Sequence, residues 1–458
     1  MNTNVSGAGL LVAGTHSDCG KTTITLGLMA ALRARGLTVQ PFKCGPDFID
    51  PTLHQTVCGF ISRNLDLNMC EAPYVRGLYR DKSVRADVSV VEGVMGLFDG
   101  DAASSAALAR TLDVPVVLVV DARAMAESVA ALVKGYTELD PACRFAGVIL
   151  NRVGSARHEE ILRKSIAEHC RVKVAGAVPR DLDFSLPGRH LGLHMAEDGV
   201  LDQDRIDSLA RSIETNCSID YLLEAGRGKK GGAEIPGPEK KTDVSGEQGK
   251  VRIGVARDKA FCFYYEDNLD IIRREGGEVV YFSPLQDKVL PPDLDGIYLG
   301  GGYPELYGRE LAANQDMIYG IRQWSLDGRP LYSECGGFIY LTRGIDYGEE
   351  FYPLSAVFPV KAKLKKRLAR LGYRQVSTTT STIFGPPGTV LRGHEFHYSD
   401  IEEMPSDIKR AYLLSTGEKE GYMIRNTLGG YCHLHFGSTP RAARNWVEFC
   451  RENRKEQG

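Results

Sequence analysis

Short apolar runs alternate with helical periodicity through the first half of the chain. The segment 22–35 places Leu26, Met29 and Leu32 on one side, and Gly36 follows as a stop signal, so we predict a helix there. Continuous apolar runs predict buried strands at residues 9–14, 88–93, 114–121, 145–151 and 172–179. Long apolar strands separated by helices are typical of a mostly parallel sheet that is covered on both faces.

The same alternation restarts after a polar interval. Residues 226–250 are rich in glycine, proline, lysine and glutamate and could bury almost no apolar surface, so we interpret them as a flexible linker. Beyond them we predict a helix at 268–275, a largely β portion at 354–412, and strands at 251–256, 279–282, 296–299 and 330–333. An α/β protein is therefore expected, with one domain at 1–225 and a second at 251–450.

Composition and charge narrow the class of protein. The 458 residues are 43% hydrophobic and 25% charged, as in ordinary globular proteins. A net charge of -3 argues against bulk binding of nucleic acid, and no apolar run is long enough to cross a membrane. The N-terminus lacks the features of a secretory peptide. The 11 scattered cysteines form no Cys-x-x-Cys pair, which favours a reducing, cytoplasmic setting over disulfides or structural zinc.

A phosphate-binding loop follows the first predicted strand and opens the first predicted helix. It reads Gly-x5-Gly-Lys-Thr from Gly14 to Thr22, one residue longer than the common Walker A pattern. Backbone N–H groups attract phosphate oxygens, Lys21 can reach the β- and γ-phosphates, and Thr22 can ligate Mg²⁺. We therefore predict that Gly20, Lys21, Thr22 and Thr23 bind the phosphates of a nucleotide together with Mg²⁺.

Carboxylates follow the strands at the edge where parallel sheets bind ligands. The candidates for metal binding and phosphoryl transfer are Asp47, Asp50, Glu92 and Asp99, since several carboxylates near a triphosphate would repel it without Mg²⁺ between them. Turn formation is the alternative for the three aspartates, whereas Glu92 ends an apolar strand, where an acid is costly without a partner. Asn151 ends another strand and suits either reading the adenine amino group or capping a turn.

A thiol at a second strand-to-helix turn predicts a nucleophile. Cys335 follows the strand at 330–333 and precedes two glycines, whose N–H groups could bind an oxyanion. A thiol at a helix N-terminus is also expected to ionise more easily, and the glycines at 300–302 could complete the oxyanion hole. His433 and His435 alternate with apolar residues, so both should lie on one face of a strand, where one can be the general base.

The whole chain resembles the cobyrinate a,c-diamide synthases, which belong to the cobyrinate/cobyric acid family of glutamine-dependent amidotransferases of corrinoid biosynthesis. The first half is similar to P-loop ATPases of the dethiobiotin synthetase type, and the second half to class I glutamine amidotransferases. The segments that carry the resemblance span nearly the full length: 43–51, 62–66, 91–100, 300–305, 393–399 and 433–436.

The resemblance implies a role for each candidate residue. Lys21 and Thr22 would bind ATP–Mg²⁺, and the metal ligands would be Thr22, Asp47 and Glu92. Asp50 and Asp99 would position or stabilise the phosphorylated substrate. Cys335 would form a glutamyl thioester with His433 as its base. Related triad enzymes place an acid two residues beyond that histidine, where this chain has His435, so a Cys–His dyad is implied and the group that orients His433 is open.

The implied reaction is a cytoplasmic amidation in cobalamin biosynthesis. ATP would convert a substrate acetate into an acyl phosphate, and ammonia released from L-glutamine would displace the phosphate. In this family the substrate is cobyrinate, a cobalt-containing tetrapyrrole that is amidated on its a and c acetates. The same chemistry on hydrogenobyrinate or nickel sirohydrochlorin is one alternative. A P-loop switch ATPase with an inert amidotransferase-like module is another. A homodimer is compatible with the sequence, which does not fix the oligomeric state.

A substrate with many carboxylates should meet basic residues. The candidates are Arg63, Arg152, Arg180 and the basic run at 361–370. A solvated surface segment is an equally good interpretation of that run.

Overall fold

Residues 7–180, 201–227, 250–365 and 367–457 are described by the computed structural model, with side chains up to residue 454. The chain divides into two units, Met1–Lys240 and Lys241–Gly458. Most of the predicted linker, residues 228–249, lies outside the described residues, as does position 366 in the basic run.

The first unit alternates strands with helices. Its strands are β1 (Ala8–Gly14), β2 (Val39–Cys44), β3 (Arg63–Leu65), β4 (Val88–Gly96), β5 (Val116–Asp121), β6 (Phe145–Val153) and β7 (Val174–Pro179). Its helices are α1 (Lys21–Ala34), α2 (Asp50–Cys58), α3 (Ala72–Ser83), α4 (Ser105–Leu112), α5 (Val129–Glu138), α6 (Ala156–His169), α7 (Gln203–Asn216) and α8 (Ile219–Gly226).

These strands form one parallel sheet, which confirms the predicted fold class. The order of the described strands is β3-β2-β4-β1-β5-β6-β7, and each neighbouring pair is parallel. Every residue of β1 and β5 is buried, as expected for strands covered on both faces. The register pairs Val12 and Lys43 with Glu92, so the carboxyl ends of β1, β2 and β4 reach one edge together.

The second unit begins with a parallel region and continues into antiparallel strands. Its strands are β8 (Val251–Ala256), β9 (Gly277–Phe282), β10 (Gly296–Leu299), β11 (Leu331–Glu334), β12 (Gly344–Tyr347), β13 (Glu350–Pro353), β14 (Ala362–Leu364), β15 (Arg370–Thr378), β16 (Val390–His397), β17 (Ser399–Ile401), β18 (Lys409–Leu414), β19 (Lys419–Ile424), β20 (Thr427–Gly430) and β21 (His433–His435). Its helices are α9 (Glu266–Arg274), α10 (Gly308–Ala313), α11 (Gln315–Leu326), α12 (Gly336–Tyr340) and α13 (Pro440–Gln457).

Two sheets organise this unit. The larger has the order β21-β16-β15-β18-β19-β20-β11-β10-β8-β9, with parallel pairing from β20 to β9 and antiparallel pairing from β21 to β20. The smaller has the order β13-β12-β14-β17. Because β11 pairs with β20, the turn after β11 lies next to the segment that leads into β21. Among the described helices, none is both long and apolar enough to span a membrane.

Candidate active sites

The predicted phosphate-binding loop joins β1 to α1. β1 ends at Gly14, Gly20 has φ 89° in the left-handed region, and α1 begins at Lys21. A Cβ on Gly20 would also overlap the side-chain amide of Asn151, so both the backbone conformation and the space require glycine. The loop therefore has the strand–loop–helix context that the sequence predicts.

Asn151 contacts this loop from β6. Its amide nitrogen donates to the Cys19 carbonyl at 2.9 Å, and its amide oxygen accepts the Arg152 N–H at 3.0 Å. The side chain is buried. These contacts correspond to the capping role considered for Asn151, and its contact with adenine stays a prediction.

Thr22 and Glu92 bring two oxygen donors together beside the loop. The Thr22 hydroxyl donates to Glu92 Oε1 at 2.6 Å, and Lys21 Nζ donates to the Met95 carbonyl at 3.3 Å. Hydroxyl and carboxylate oxygens are ligands that Mg²⁺ prefers, so this pair fits the predicted metal. Asp47 is close by, and its Oδ1 accepts the N–H groups of Ile49 and Asp50 at 2.8 and 3.1 Å.

Three of the four predicted carboxylates gather around Lys43, a residue that was not among the predicted site residues. Lys43 Nζ forms an ion pair with Asp50, lies 3.1 Å from Glu92 Oε1 and lies 3.7 Å from Asp47 Oδ2. Burial lowers the pKa of Lys43, but these three negative charges outweigh it and raise that pKa overall. The signal available in the sequence was a lysine at the end of an apolar strand, which needs an anionic partner when buried.

Glu92 is held in its ionised form by these neighbours. Burial alone would raise its pKa, but the charge of Lys43 and a 2.7 Å hydrogen bond with His54 Nε2 hold the pKa of Glu92 well below its usual range. Glu92 is 0% exposed, so the ion pair with Lys43 is screened little by water. A charged carboxylate is thus available at the loop throughout the neutral pH range.

Replacing Lys43 by methionine is expected to destabilise the first unit by about 3–5 kcal/mol, because two buried carboxylates would lose their cation. Chemical denaturation followed by circular dichroism measures this change. Both tryptophans, Trp324 and Trp446, lie in the second unit, so their fluorescence reports that unit separately. Lys164→Met, at an exposed position of α6, is the matched control and should change the unfolding free energy little. A loss below about 1 kcal/mol for Lys43→Met would contradict a buried ion-pair network.

Asp99 shapes the turn after β4. Its Oδ2 accepts the Gly96 N–H at 2.8 Å, and its own N–H donates to the Gly96 carbonyl at 3.1 Å. The Leu97 N–H donates to the Gly14 carbonyl at 2.8 Å, so this turn lies beside the phosphate-binding loop. Asp99 therefore has the turn role considered for it, and it has that role next to the predicted nucleotide site.

The predicted basic residues differ in their surroundings. Arg63 is buried on β3, whereas Arg180 is exposed. Arg152 Nη1 lies 2.6 Å from Asp121 Oδ2 and donates to the Asp18 carbonyl of the loop at 2.8 Å. In the basic run, ion pairs join Lys361 to Asp346, Lys365 to Asp400 and Arg370 to Glu418, which favours the surface interpretation of that run.

In the second unit, Cys335 lies at a sharp turn between β11 and α12. Its φ of 47° and ψ of −106° are unusual for a non-glycine residue, and its N–H donates to the Gly430 carbonyl at 2.8 Å. Strained backbone of this kind is common at nucleophile turns. A Cβ on Gly336 would lie 2.9 Å from both Gly302 N and Pro304 Cδ, so only glycine lets the two turns pack this closely.

The expectation that Cys335 ionises easily is wrong. Burial raises the pKa of the Cys335 thiol far above its ordinary range, and the negative charge of Glu305 raises it further. A backbone hydrogen bond from Gly336 opposes this only in part. The helix that follows has just five residues, so its N-terminus cannot offset the burial.

In the free protein, Cys335 is expected to react slowly with iodoacetamide at about pH 7, with a rate that still rises above about pH 9, because the thiolate forms only above the ordinary thiol range. Peptide mass spectrometry over a pH series measures alkylation at this position alone. Cys262 is only partly buried and provides an internal comparison that should react faster. A rate at Cys335 that levels off below about pH 8 would show an activated thiolate instead.

The glycine cluster at 300–302 offers fewer oxyanion donors than the sequence suggested. The Gly300 N–H donates to the Tyr264 hydroxyl at 2.8 Å, and the Gly301 N–H donates to the Phe263 carbonyl at 3.2 Å. Within the described residues, the Gly302 N–H donates to no backbone carbonyl. The expectation is therefore corrected to Gly302 as the remaining donor of this cluster.

His433 lies on β21 against the same glycine turn. A Cβ on Gly301 would overlap His433 Cε1, and the His433 ring stacks on His394 with ring centroids 5.0 Å apart. Burial, together with the positive charges that His394 and His397 can carry, lowers the pKa of His433 well below its usual value. A neutral imidazole can accept a proton, as a general base requires.

Glu334 is the carboxylate that the structure places beside His433. Its Oε2 lies 3.9 Å from His433 Nδ1, and its oxygens accept hydrogen bonds from Tyr332, Tyr298 and the Leu434 N–H. Burial raises the pKa of Glu334 to about 7 despite these bonds. Glu334 was not among the predicted site residues, because this acid comes from β11 and not from the histidine strand β21.

His435 has a structural position. Its Nδ1 accepts the Gly437 N–H at 3.0 Å at the start of the short 3-10 helix Phe436–Ser438. Its ring packs against the Tyr265 ring, with the ring centroids 4.7 Å apart. Burial lowers the pKa of His435 to about 4. As predicted, His433 and His435 share one strand face, since they pair with alternate residues of β16, His394 and Arg392.

One further cluster in the described residues has the composition of a metal site. Ligand atoms of Glu395, Glu420 and Cys432 lie within 4.8 Å of one another, and all three residues are buried. Arg374 lies 2.8 Å from Glu395, and the Cys432 thiol donates to Glu395 at 3.6 Å. Because the Arg374 guanidinium already supplies a positive charge to Glu395, a structural polar cluster is a better interpretation of this group than a metal site.

Comparison with known proteins matches both units. Residues 10–193 match the CobQ/CobB/MinD/ParA nucleotide binding domain, and residues 252–441 match the CobB/CobQ-like glutamine amidotransferase domain. The cobyrinate a,c-diamide synthase of Syntrophotalea carbinolica is 43% identical over 457 residues, covering 96% of this chain and 98% of the relative. The Salmonella typhimurium protein of the same name is 40% identical over 458 residues, covering 96% and 98%. The chain therefore belongs to the cobyrinate a,c-diamide synthase family.

Proposed function

We propose that this protein amidates the a and c acetate carboxylates of cobyrinate, with glutamine as the nitrogen donor and ATP as the energy source. The observation that carries the proposal is the presence, in one chain, of a phosphate-binding loop backed by ionised carboxylates and of a strained thiol turn with a neutral histidine. Relatives with the name cobyrinate a,c-diamide synthase support the choice of substrate.

In the first unit the proposed step is activation of a carboxylate. A substrate carboxylate oxygen attacks the γ-phosphorus of ATP, which forms an acyl phosphate and releases ADP. Lys21 neutralises charge on the transferring phosphoryl group. Thr22, Asp47 and Glu92 would hold Mg²⁺, which would supply further positive charge for the phosphates. Asp50 keeps Lys43 in place, and Asp99 fixes the turn beside the loop.

In the second unit the proposed step is release of ammonia. The Cys335 sulfur attacks the carboxamide carbon of glutamine while His433 takes the thiol proton and passes it to the leaving nitrogen. Ammonia departs, and water then hydrolyses the thioester to glutamate. Because burial keeps the resting thiol protonated, proton transfer to His433 accompanies the attack rather than preceding it. The ammonia then displaces phosphate from the acyl phosphate and leaves an amide.

Product analysis tests the choice of substrate. The purified protein is incubated with glutamine, ATP and Mg²⁺, and with cobyrinate, hydrogenobyrinate or nickel sirohydrochlorin in parallel, and the products are resolved by mass spectrometry. We expect two successive amidations of cobyrinate and slower conversion of the other two. Preferred conversion of another tetrapyrrole would move the assignment to that substrate. ATP hydrolysis without any amide product would favour a nucleotide-dependent switch.

A further inference from the structure

We infer that Glu305 binds the α-ammonium group of glutamine and thereby makes the second unit selective for a free amino acid amide. This inference rests on the proposed glutaminase reaction and adds the residue that recognises the end of glutamine remote from the scissile amide. It concerns binding and orientation of glutamine, and the chemistry stays with Cys335 and His433.

The position of Glu305 follows from the packing of two turns. Glu305 is in the short 3-10 helix Pro304–Tyr307, directly after the glycine cluster at 300–302. A Cβ on Gly336 would lie 2.9 Å from Gly302 N, Gly302 O and Pro304 Cδ. Gly336, which follows the nucleophile Cys335, therefore packs against Gly302 and Pro304, just before Glu305. This packing places Glu305 at the edge of the thiol site.

The surroundings of the Glu305 carboxylate supply no protein cation within the described part of the chain. Glu305 is half-buried, and among the described residues its carboxylate has no ion-pair partner. Burial raises its pKa to about 7. A partly buried carboxylate without a partner is costly, so a cation supplied by a ligand would recover that cost.

Without a bound cation, the charge of Glu305 also opposes ionisation of the Cys335 thiol. The charge of Glu305 raises the pKa of the Cys335 thiol, which opposes formation of the nucleophile. Glutamine carries a positive charge on its α-ammonium group, at the opposite end from the carboxamide that Cys335 attacks. Its binding would neutralise Glu305 and remove this electrostatic opposition only when the correct substrate is present.

Paired substrates test this inference on the full-length protein. Glutaminase rates are measured with L-glutamine and with glutaramate, which has a hydrogen in place of the α-amino group. The wild-type protein should prefer glutamine in kcat/KM by about 10-fold or more. Glu305→Gln should lose about 10- to 100-fold with glutamine, mainly through KM, and should lose no activity with glutaramate, because removal of the Glu305 charge does not hinder the thiol. Glu310→Gln, at an exposed position of α10, is the matched control and should behave as wild type.

Three results would overturn the inference. They are a wild-type protein that uses both amides equally, a Glu305→Gln variant that loses both activities equally, and a variant that loses neither. A wild-type protein without Cys335-dependent glutaminase activity would instead refute the proposed function. A measurement without turnover adds a second check. Glu305→Gln should slow inactivation by 6-diazo-5-oxo-L-norleucine, a glutamine analogue with the α-ammonium group. It should not slow alkylation by iodoacetamide, because loss of the Glu305 charge lowers the pKa of the Cys335 thiol. Equal slowing with both reagents would indicate a misplaced thiol and contradict an ammonium contact.

Discussion

Replacing Cys335 by alanine is expected to lower glutamine hydrolysis and glutamine-dependent amidation by at least about 1000-fold, because no thioester can form without the sulfur. Amidation that is driven by ATP and free ammonia should remain, since the phosphate-binding loop and its carboxylates belong to the other unit. Glutamate release measures the first activity, and amide formation with ammonium salts measures the second.

Cys262→Ala is the appropriate control for Cys335→Ala. Cys262 is also a free cysteine of the second unit and should be dispensable for both activities. If Cys335→Ala kept glutamine hydrolysis at the wild-type rate, the assignment of the nucleophile would be wrong. Loss of the ammonia-dependent reaction as well would mean that the substitution disturbs more than the thiol site.

Lys21→Ala should lower ATP-dependent amidation by about 100- to 1000-fold with either nitrogen source, because one preorganised charge on the transferring phosphoryl group would be lost. Basal glutaminase activity should remain near the wild-type rate, since Cys335 and His433 do not depend on the loop. Coupled measurement of ADP and glutamate separates the two activities in one experiment.

The matched control for Lys21→Ala is Lys164→Ala on α6, where the lysine is largely exposed and remote in sequence from the loop. An equal fall in ADP and glutamate production for Lys21→Ala would contradict two separate sites. Retained amidation would remove Lys21 from the phosphate-binding role and leave Lys43 as the cation nearest the buried carboxylates.

Features that depend on neighbouring residues in sequence could be predicted from the sequence. The strand–loop–helix around Lys21 and the strand–turn–helix around Cys335 both rest on local periodicity and glycine placement. Parallel pairing of the first sheet followed from apolar strands that alternate with helices. His433 and His435 were assigned to one strand face by simple alternation.

Features that depend on register between distant strands could not be predicted. Lys43 meets Glu92 because β2 pairs with β4, and Glu334 reaches His433 because β11 pairs with β20. The expected thiol pKa was wrong because burial of Cys335, and then the charge of Glu305 on a different turn, both depend on how distant segments pack. A single sequence does not show which distant strands are neighbours in the sheet, so the contacts that such neighbours create cannot be predicted from it.

The amide of Asn151 has a consequence for nucleotide affinity. It fixes the carbonyl of Cys19 and fills the space beside Gly20, so the loop has its shape before any ligand arrives. A receptor that is rigid in advance loses little conformational entropy when it is occupied. Substitution of Asn151 by alanine would leave the phosphates the same backbone donors yet require them to order a looser loop, so binding of the phosphates would weaken without the loss of a single contact to them.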